Sequence, residues 1–354
     1  MPSAHKILTR SHLESELDPN QRLIEILGDG FAAYRLAFAQ AEAGERPEAP
    51  IHLDVDVTTV CQLRCPMCPA GRPEDNHFPG FGIFMDKKIF MEALKQAQSF
   101  GLKSLRLGMT GEPLLIESID QWVAAAADYG LLDISLITNG QLLTYEKSLK
   151  LIKAGLTRLM ISVDAATSET YAKVRPKGDF ERLEKNIRDF WRAKSALASP
   201  LPLLRLSFVI TKQNAGEMGL FREKFSQQAD YLTFQNYLDI MGDHGQTKVQ
   251  GTGQSLSGRL DDSASGPPKS SPEPASGGTC LDPLTRLAIM ADGGLFPCCS
   301  DFGRLAPLGW FPKNSLLEVW NSPEAQNLTH NPFHQSCRKC RAASLSPSPK
   351  AAAA

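Results

Sequence analysis

No run of about 18 apolar residues occurs anywhere in this sequence, so a membrane-spanning helix is not expected. The opening MPSAHKILTRSHLESELDPNQ lacks an apolar stretch ahead of a small-residue cleavage site, so no secretory leader is expected either. Both readings point to a cytoplasmic protein. An excess of either charge is missing too: 38 Lys and Arg face 39 Asp and Glu, for a formal net charge of −1. Bulk electrostatics therefore does not hold this chain to nucleic acid or to an anionic membrane, and any partner must be recognised locally. Cysteine is absent between Cys68 and Cys280, although the chain has eight. A disulfide framework would not leave that stretch empty, and a reducing compartment disfavours one, so the clustered thiols point to metal or redox chemistry.

What is present reads as one large domain and a small one, within 354 residues of which 42% are hydrophobic. Residues 1–50 carry apolar residues at helical spacing in PNQRLIEILGDGFAAYRLAFAQAEAG before ERPEAP breaks the pattern, and are expected to be a helical N-terminal extension without chemistry of its own. From 51 to 240, β-rich runs (IHLDVDV, SLRLGMT, LDISLIT, RLMISVD, LLRLSFVIT, YLTFQ) alternate with amphipathic stretches. Such alternation implies an α/β fold with a parallel sheet and helices outside, either a curved partial barrel or an open doubly wound sheet. Each strand ends in a short polar sequence (CQLRC, TGEP, TNG, SVD, TKQN), the place where barrel-type sheets build their sites. Residues 241–279 are rich in Gly, Ser and Pro and read as a flexible linker; 280–342 form a compact cysteine-rich segment, and 343–354 a disordered tail.

Cys61, Cys65 and Cys68 follow the first strand run directly. Three thiolates do not close a tetrahedral structural zinc site, and neither His52 nor His77 has a finger-like spacing to them. An iron-sulfur cube held by three cysteines leaves one iron open for a ligand. The Cys61-x3-Cys65-x2-Cys68 spacing, in the loop after a first strand, resembles the signature of radical S-adenosylmethionine enzymes. The resemblance implies a partial (β/α)6 TIM-like barrel over 51–240. It also implies a 4Fe-4S cluster whose open iron chelates S-adenosylmethionine, and a 5′-deoxyadenosyl radical that takes hydrogen from an unactivated C–H bond. Met67 stands where that family usually has an aromatic residue against adenine, and a thioether offers a similar apolar contact.

Other strand ends resemble the family in the same order. TGEPLL (110–115) is similar to its Gly-Gly-Glu region, with Gly111 allowing close backbone approach and Glu112 accepting from the cofactor ammonium. TNG (138–140) and ISVDAATSETYAKVR (161–175) resemble segments that contact the ribose and carboxylate, which makes Asn139, Ser162 and Arg175 cofactor-binding candidates. Each has a plainer alternative: a helix-start acid, an ordinary Asn-Gly turn and a surface charge.

The second group comprises Cys280-x12-Gly293-x4-Cys298 and Cys337-x2-Cys340, and its spacing alone permits zinc or a fully ligated cluster. Beside a radical cluster it resembles a SPASM or Twitch extension. That likeness implies one auxiliary 4Fe-4S cluster on Cys280, Cys298, Cys337 and Cys340, with Cys299 a spare buried thiol that is open to exchange with Cys298. In the following PLGWFPKNSLLEVWNS, Trp310 stands where relatives usually have Asn.

The order of these motifs is similar to that of Twitch-type aminocyclitol dehydrogenases, as in butirosin biosynthesis. The resemblance implies a radical oxidoreductase acting on a polar small molecule of sugar or aminocyclitol type, with the auxiliary cluster accepting an electron and an external donor such as flavodoxin or ferredoxin supplying one. A peptide maturase of SPASM type and a non-catalytic metal-binding scaffold are the alternatives; no nucleic-acid or membrane partner is expected. Asp239, Asp243 and His244 lie near the last strand, where the dehydrogenase has an Arg, but none is assigned as base. Arg205, in an otherwise apolar strand, either faces the barrel interior and binds substrate or pairs with an acid such as Asp164.

Overall fold

The computed structural model describes residues 11–15, 18–43, 45–71, 80–237, 282–299 and 307–330. Cys280, Cys337, Cys340, His77, Asp239, Asp243, His244, the linker and the tail lie outside them. A strand β1 (Ser11–Glu14) precedes two helices, α1 (Pro19–Leu27) and α2 (Asp29–Glu42). Then come β2 (His52–Val55), α3 (Lys87–Ser99), β3 (Ser104–Leu107), α4 (Ile119–Asp128), β4 (Asp133–Thr138), α5 (Tyr145–Lys153) and β5 (Arg158–Ser162). After α6 (Ser168–Val174) and α7 (Phe180–Ala196) follow β6 (Leu203–Ile210), α8 (Met218–Phe225) and β7 (Tyr231–Asn236). The last described elements are α9 (Asp282–Thr285), β8 (Arg286–Ile289), β9 (Gly294–Phe296), β10 (Gly309–Trp310), α10 (Leu316–Trp320) and α11 (Pro323–His330).

The ten strands among the described residues belong to one sheet, in the order β1-β7-β6-β5-β4-β3-β2-β8-β9-β10. Strands β2 to β7 are parallel and follow one another in chain order, so every crossover steps the same way. A doubly wound sheet reverses its order at a switch point; this one does not, and the partial barrel is the outcome. The strand residues Leu53, Leu105, Leu136, Leu159, Leu206 and Phe208 pack outward against the apolar faces of α3, α4, α5 and α7. In α7 the buried Phe180, Leu183, Ile187, Phe190 and Ala193 recur at helical spacing, and Asp179 caps its start by accepting from the Arg182 amide.

The structure adds detail to two expectations. The N-terminal extension carries two helices, α1 and α2, separated at Gly28 with φ 74°, and a strand, β1, that pairs antiparallel with β7. Leu23, Phe31, Tyr34 and Phe38 cluster with Leu203 and Tyr231, at the N-terminal ends of β6 and β7, and so cover the lower end of the barrel. The cysteine-rich segment, in turn, contributes to the main sheet. Strand β8 lies parallel on β2, with His52 opposite Arg286, and Arg46 stacks on Trp320 while donating to its carbonyl at 2.6 Å. No helix among the described residues is long and apolar enough to cross a membrane.

Candidate active site

The loop after β2 is held on both sides by backbone. The amides of Thr59 and Met85 tie it to the 83–85 segment through Ile83 and Val57, and from the other side the Gly111 and Glu112 amides donate to the Thr58 and Val60 carbonyls at 3.0 and 2.8 Å. A Cβ at Gly111 would lie 2.3 Å from the Thr58 carbonyl oxygen and 2.6 Å from that of Val60. Close approach is therefore what Gly111 provides, toward the cysteine loop itself. Replacing Gly111 by Ala is expected to cost about 1–3 kcal/mol by forcing this seam apart. A lowered urea midpoint together with reduced iron uptake checks it.

Cys61, Cys65 and Cys68 share the turn that this seam supports. The Cys68 amide donates to the Cys65 carbonyl and the Gly71 amide to the Cys68 carbonyl, both at 3.0 Å. A Cβ on Gly71 would meet the Cys65 carbonyl oxygen at 2.4 Å, so the turn closes only on glycine. Burial pushes the Cys61 and Cys65 thiols up to about 11, and the Cys68 thiol up as well. The three also raise one another electrostatically, which marks them as neighbours. Thiols in this state release protons when they take up a metal. Among the described residues no group of three or more His, Cys, Asp or Glu is drawn together tightly enough for a single metal ion. Three thiols on one turn are a soft donor set of the kind that iron-sulfur clusters take.

Donors from the next strand ends reach these sulfurs. Asn139 Nδ2 lies 3.7 Å from Cys61 Sγ, and Arg175 Nη1 3.9 Å from Cys65 Sγ. Glu112 is buried and already occupied: Oε1 accepts from the Leu114 amide at 2.9 Å and the Thr138 hydroxyl at 2.7 Å, and Oε2 from the Asn139 amide at 2.7 Å. Burial still raises its carboxyl above the ordinary range, against those donors. The carboxylate thus fixes Asn139, whose Oδ1 accepts from Gln62 at 3.2 Å and the Gln141 amide at 3.0 Å. Ser162 ends β5 on the concave side, opposite Ser207. The structure therefore brings Gly111, Glu112, Asn139 and Arg175 around the three cysteines, with Ser162 at the rim of the lumen beside them.

The partner of Arg175 carries a role that residue type alone did not assign. Asp164 Oδ2 accepts from Arg175 Nε at 3.0 Å and Nη2 at 2.5 Å, while Oδ1 accepts from the Val209 amide at 2.8 Å. This leaves Asp164 engaged and excludes its pairing with Arg205. The signal was the SVD strand end, with an acid eleven positions before an arginine.

Cys298 and Cys299 sit just beyond β9, both half-buried. Cys299 is within hydrogen-bonding reach of Arg106, on β3, and both Cys298 and Cys299 lie near Arg286 on β8. Both thiols thus face cationic side chains of the barrel wall.

The concave side of the sheet is polar. Asp54 is enclosed by Arg106 at 2.7 Å, His52 at 2.9 Å and Arg286 at 3.6 Å, and the two guanidiniums together with the His52 ring hold its carboxyl far below the usual range against the opposing effect of burial. His52 is buried between Ser104 and Asp54, and burial lowers its pKa despite the acid. A folded-state pKa below the unfolded value of about 6.5 gives stability that is present above that pH and lost as pH falls below it. Melting temperatures are expected to fall between pH 7 and 5, with His52 contributing at most about 1.4 kcal/mol per pH unit. His52→Gln, melted at the same pH values, should show the shallower slope.

The family model of the radical SAM superfamily matches residues 55–196, and that of an iron-sulfur cluster-binding domain, SPASM, matches 280–341. A probable GTP 3′,8-cyclase of Saccharolobus islandicus is 31% identical over 172 residues, 48% of this chain and 51% of the relative. The match thus spans about half the length of that relative. Streptococcus suis SuiB bound to the precursor peptide SuiA superposes with a TM-score of 0.62 at 17% identity, over 89% of this chain and 74% of SuiB. BtrN in complex with AdoMet and 2-DOIA gives 0.49 at 17% identity, over 82% of this chain and 92% of BtrN, too low a score to argue from. At such identities the SuiB likeness speaks to the fold alone.

Proposed function

Because the chain belongs to the radical S-adenosylmethionine superfamily and carries a SPASM iron-sulfur domain, we propose that it oxidises a polar small molecule at a C–H bond, inside the lumen below the three cysteines. The first domain implies a 4Fe-4S cluster with S-adenosylmethionine, and the second an auxiliary iron-sulfur site. The observation that carries this reading is the placement of three neighbouring thiols at the carboxyl ends of parallel strands, above a lumen lined by charged and hydroxyl groups. When bound, that pair of groups supplies a 5′-deoxyadenosyl radical able to take a hydrogen atom from carbon.

The chain's own residues do the rest. Cys61, Cys65 and Cys68 would hold the cluster, and the N–H groups of Asn139 and Arg175 would offset charge on two of the sulfurs. Gly111, Glu112, Asn139, Ser162 and Arg175 surround the space above the lumen and would hold S-adenosylmethionine there. Glu112 Oε2 has a single protein donor and keeps a lone pair for the cofactor ammonium. Oxidation of a secondary alcohol to a ketone releases a hydrogen atom, a proton and one electron. The hydrogen atom would pass to the radical and the proton to water, and the electron would need an auxiliary iron-sulfur group, which Cys280, Cys298, Cys337 and Cys340 would hold. The matched relatives are probable GTP 3′,8-cyclases, and a nucleotide substrate there supports a polar small molecule here over a peptide.

The test is isotopic. Reconstituted protein is incubated with S-adenosylmethionine, dithionite and carbon-deuterated polyols or aminocyclitols, and 5′-deoxyadenosine is analysed by mass. Deuterium in the nucleoside together with a ketone product supports the reading. Deuterium without a ketone keeps the radical step and removes the oxidation.

A further inference from the structure

Four arginines point into the concave side of the sheet, and three have carboxylate partners: Arg106 with Asp54, Arg158 with Asp133 at 2.8 Å, and Arg286 with Asp54 and Asp282. Arg205 has none among the described residues. Its Nε is fully enclosed without a hydrogen-bond partner. It stands in β6 between Met160 and Tyr231 in the parallel register, two residues below Ser207, which pairs with Ser162 on one side and Thr233 on the other. The row Ser162, Ser207 and Thr233 therefore lies one layer above Arg205, roughly 7 Å along the strands. The Thr233 hydroxyl is likewise buried without a partner. Two unpartnered buried donors thus face the same part of the lumen on adjacent strands, Thr233 level with Ser162 and Arg205 one layer below.

A buried guanidinium without a carboxylate is costly, the more so with Arg106 and Arg158 adding like charge. A site that tolerates this cost is organised for an anion that arrives from outside. We propose that Arg205 and Thr233 form an anion subsite in the barrel lumen, which takes a carboxylate or phosphate of the substrate and holds its remaining atoms up toward the cysteine turn. A guanidinium donates in-plane to two oxygens of either group, and the Thr233 hydroxyl donates to a third contact. The proposal rests on the reading of the site given above and narrows its substrate to an anionic one.

The experiment uses the reconstituted full chain with S-adenosylmethionine. Inorganic phosphate and glycolate are titrated calorimetrically into wild type, Arg205→Met, Arg205→Lys and Thr233→Val, and each protein is melted. Expected are binding of one or both probes by wild type, at least tenfold weaker binding by Arg205→Met, an intermediate loss for Arg205→Lys, and weaker binding by Thr233→Val. Arg205→Met and Thr233→Val should melt no lower than wild type, because each removes an unpaired buried polar group. Stronger phosphate than glycolate binding assigns a phosphate-bearing substrate, and the reverse a carboxylate. Absence of binding by wild type, unchanged binding by Arg205→Met, or a melting temperature lowered by several degrees in Arg205→Met overturns the subsite. Formation of 5′-deoxyadenosine by wild type, measured in parallel, separates this failure from failure of the radical reading.

Discussion

Anaerobically reconstituted protein is expected to hold about eight irons, and a variant with Cys61, Cys65 and Cys68 all replaced by Ala about four, with no 5′-deoxyadenosine formed after dithionite. The size of this effect follows from geometry. The three thiols sit on one turn that the Cys68 and Gly71 amides close, so the triple replacement removes every thiol of that turn. Burial keeps them protonated in the free protein. The apo protein is therefore expected to stay folded, because alanine removes no charge from the site. Loss of iron without loss of the cooperative unfolding transition distinguishes a ligand role from a structural one. Four irons with one zinc in wild type would make the second cysteine group a structural metal site, and the electron exit proposed above would be lost with it.

Asp164→Asn is expected to destabilise the apo protein by about 3–5 kcal/mol, the cost of leaving Arg175 buried without its counter-charge. The side chain of Asp164 has 0% exposure and that of Arg175 only 11%. Asp164 adopts φ 62°, a conformation that Asn tolerates well, so the substitution isolates charge from backbone strain. Its amide oxygen can still accept from Val209 N–H, whereas Ala would forfeit both and should cost more. Urea midpoints measure the loss. Combining Asp164→Asn with Arg175→Met should recover much of the stability, since the orphaned charge is then gone. Iron retention should not recover, because the N–H beside Cys65 is gone with it. A double variant that regains both would show that the ion pair serves the fold alone.

The six barrel strands were legible because their apolar runs are short, bounded and separated by amphipathic stretches of helical length, as in IHLDVDV and LLRLSFVIT. Choosing a barrel over an open sheet was not, since strand periodicity carries no neighbour order; the sequential register of β2 to β7 decides it. Strand β1 was hidden because SHLE has only four residues and its pairing with β7 is long-range. Strand β8 was concealed by its cysteine-rich surroundings, although RLAI is β-prone. At the site, spacing picked out the cysteines and the glycine seam, but hydrogen-bond direction was not readable. Glu112 spends its acceptors largely on its own chain, and Arg175 divides its guanidinium between Asp164 and Cys65. Charge balance inside the lumen was equally invisible, since only the fold reveals that Asp164 is taken and Arg205 is left over.

The placement of β8 against β2 bears on how the protein is made. Position 52 pairs with position 286, so the first barrel strand to leave the ribosome waits for almost the whole chain before its outer edge is covered. Until then β2 offers unpaired amides and carbonyls to any passing strand, and contacts this distant in sequence form slowly. The cysteine turn is anchored to that same strand. Synthesis thus places the loading of iron and the completion of the sheet in competition with aggregation at the open edge of β2.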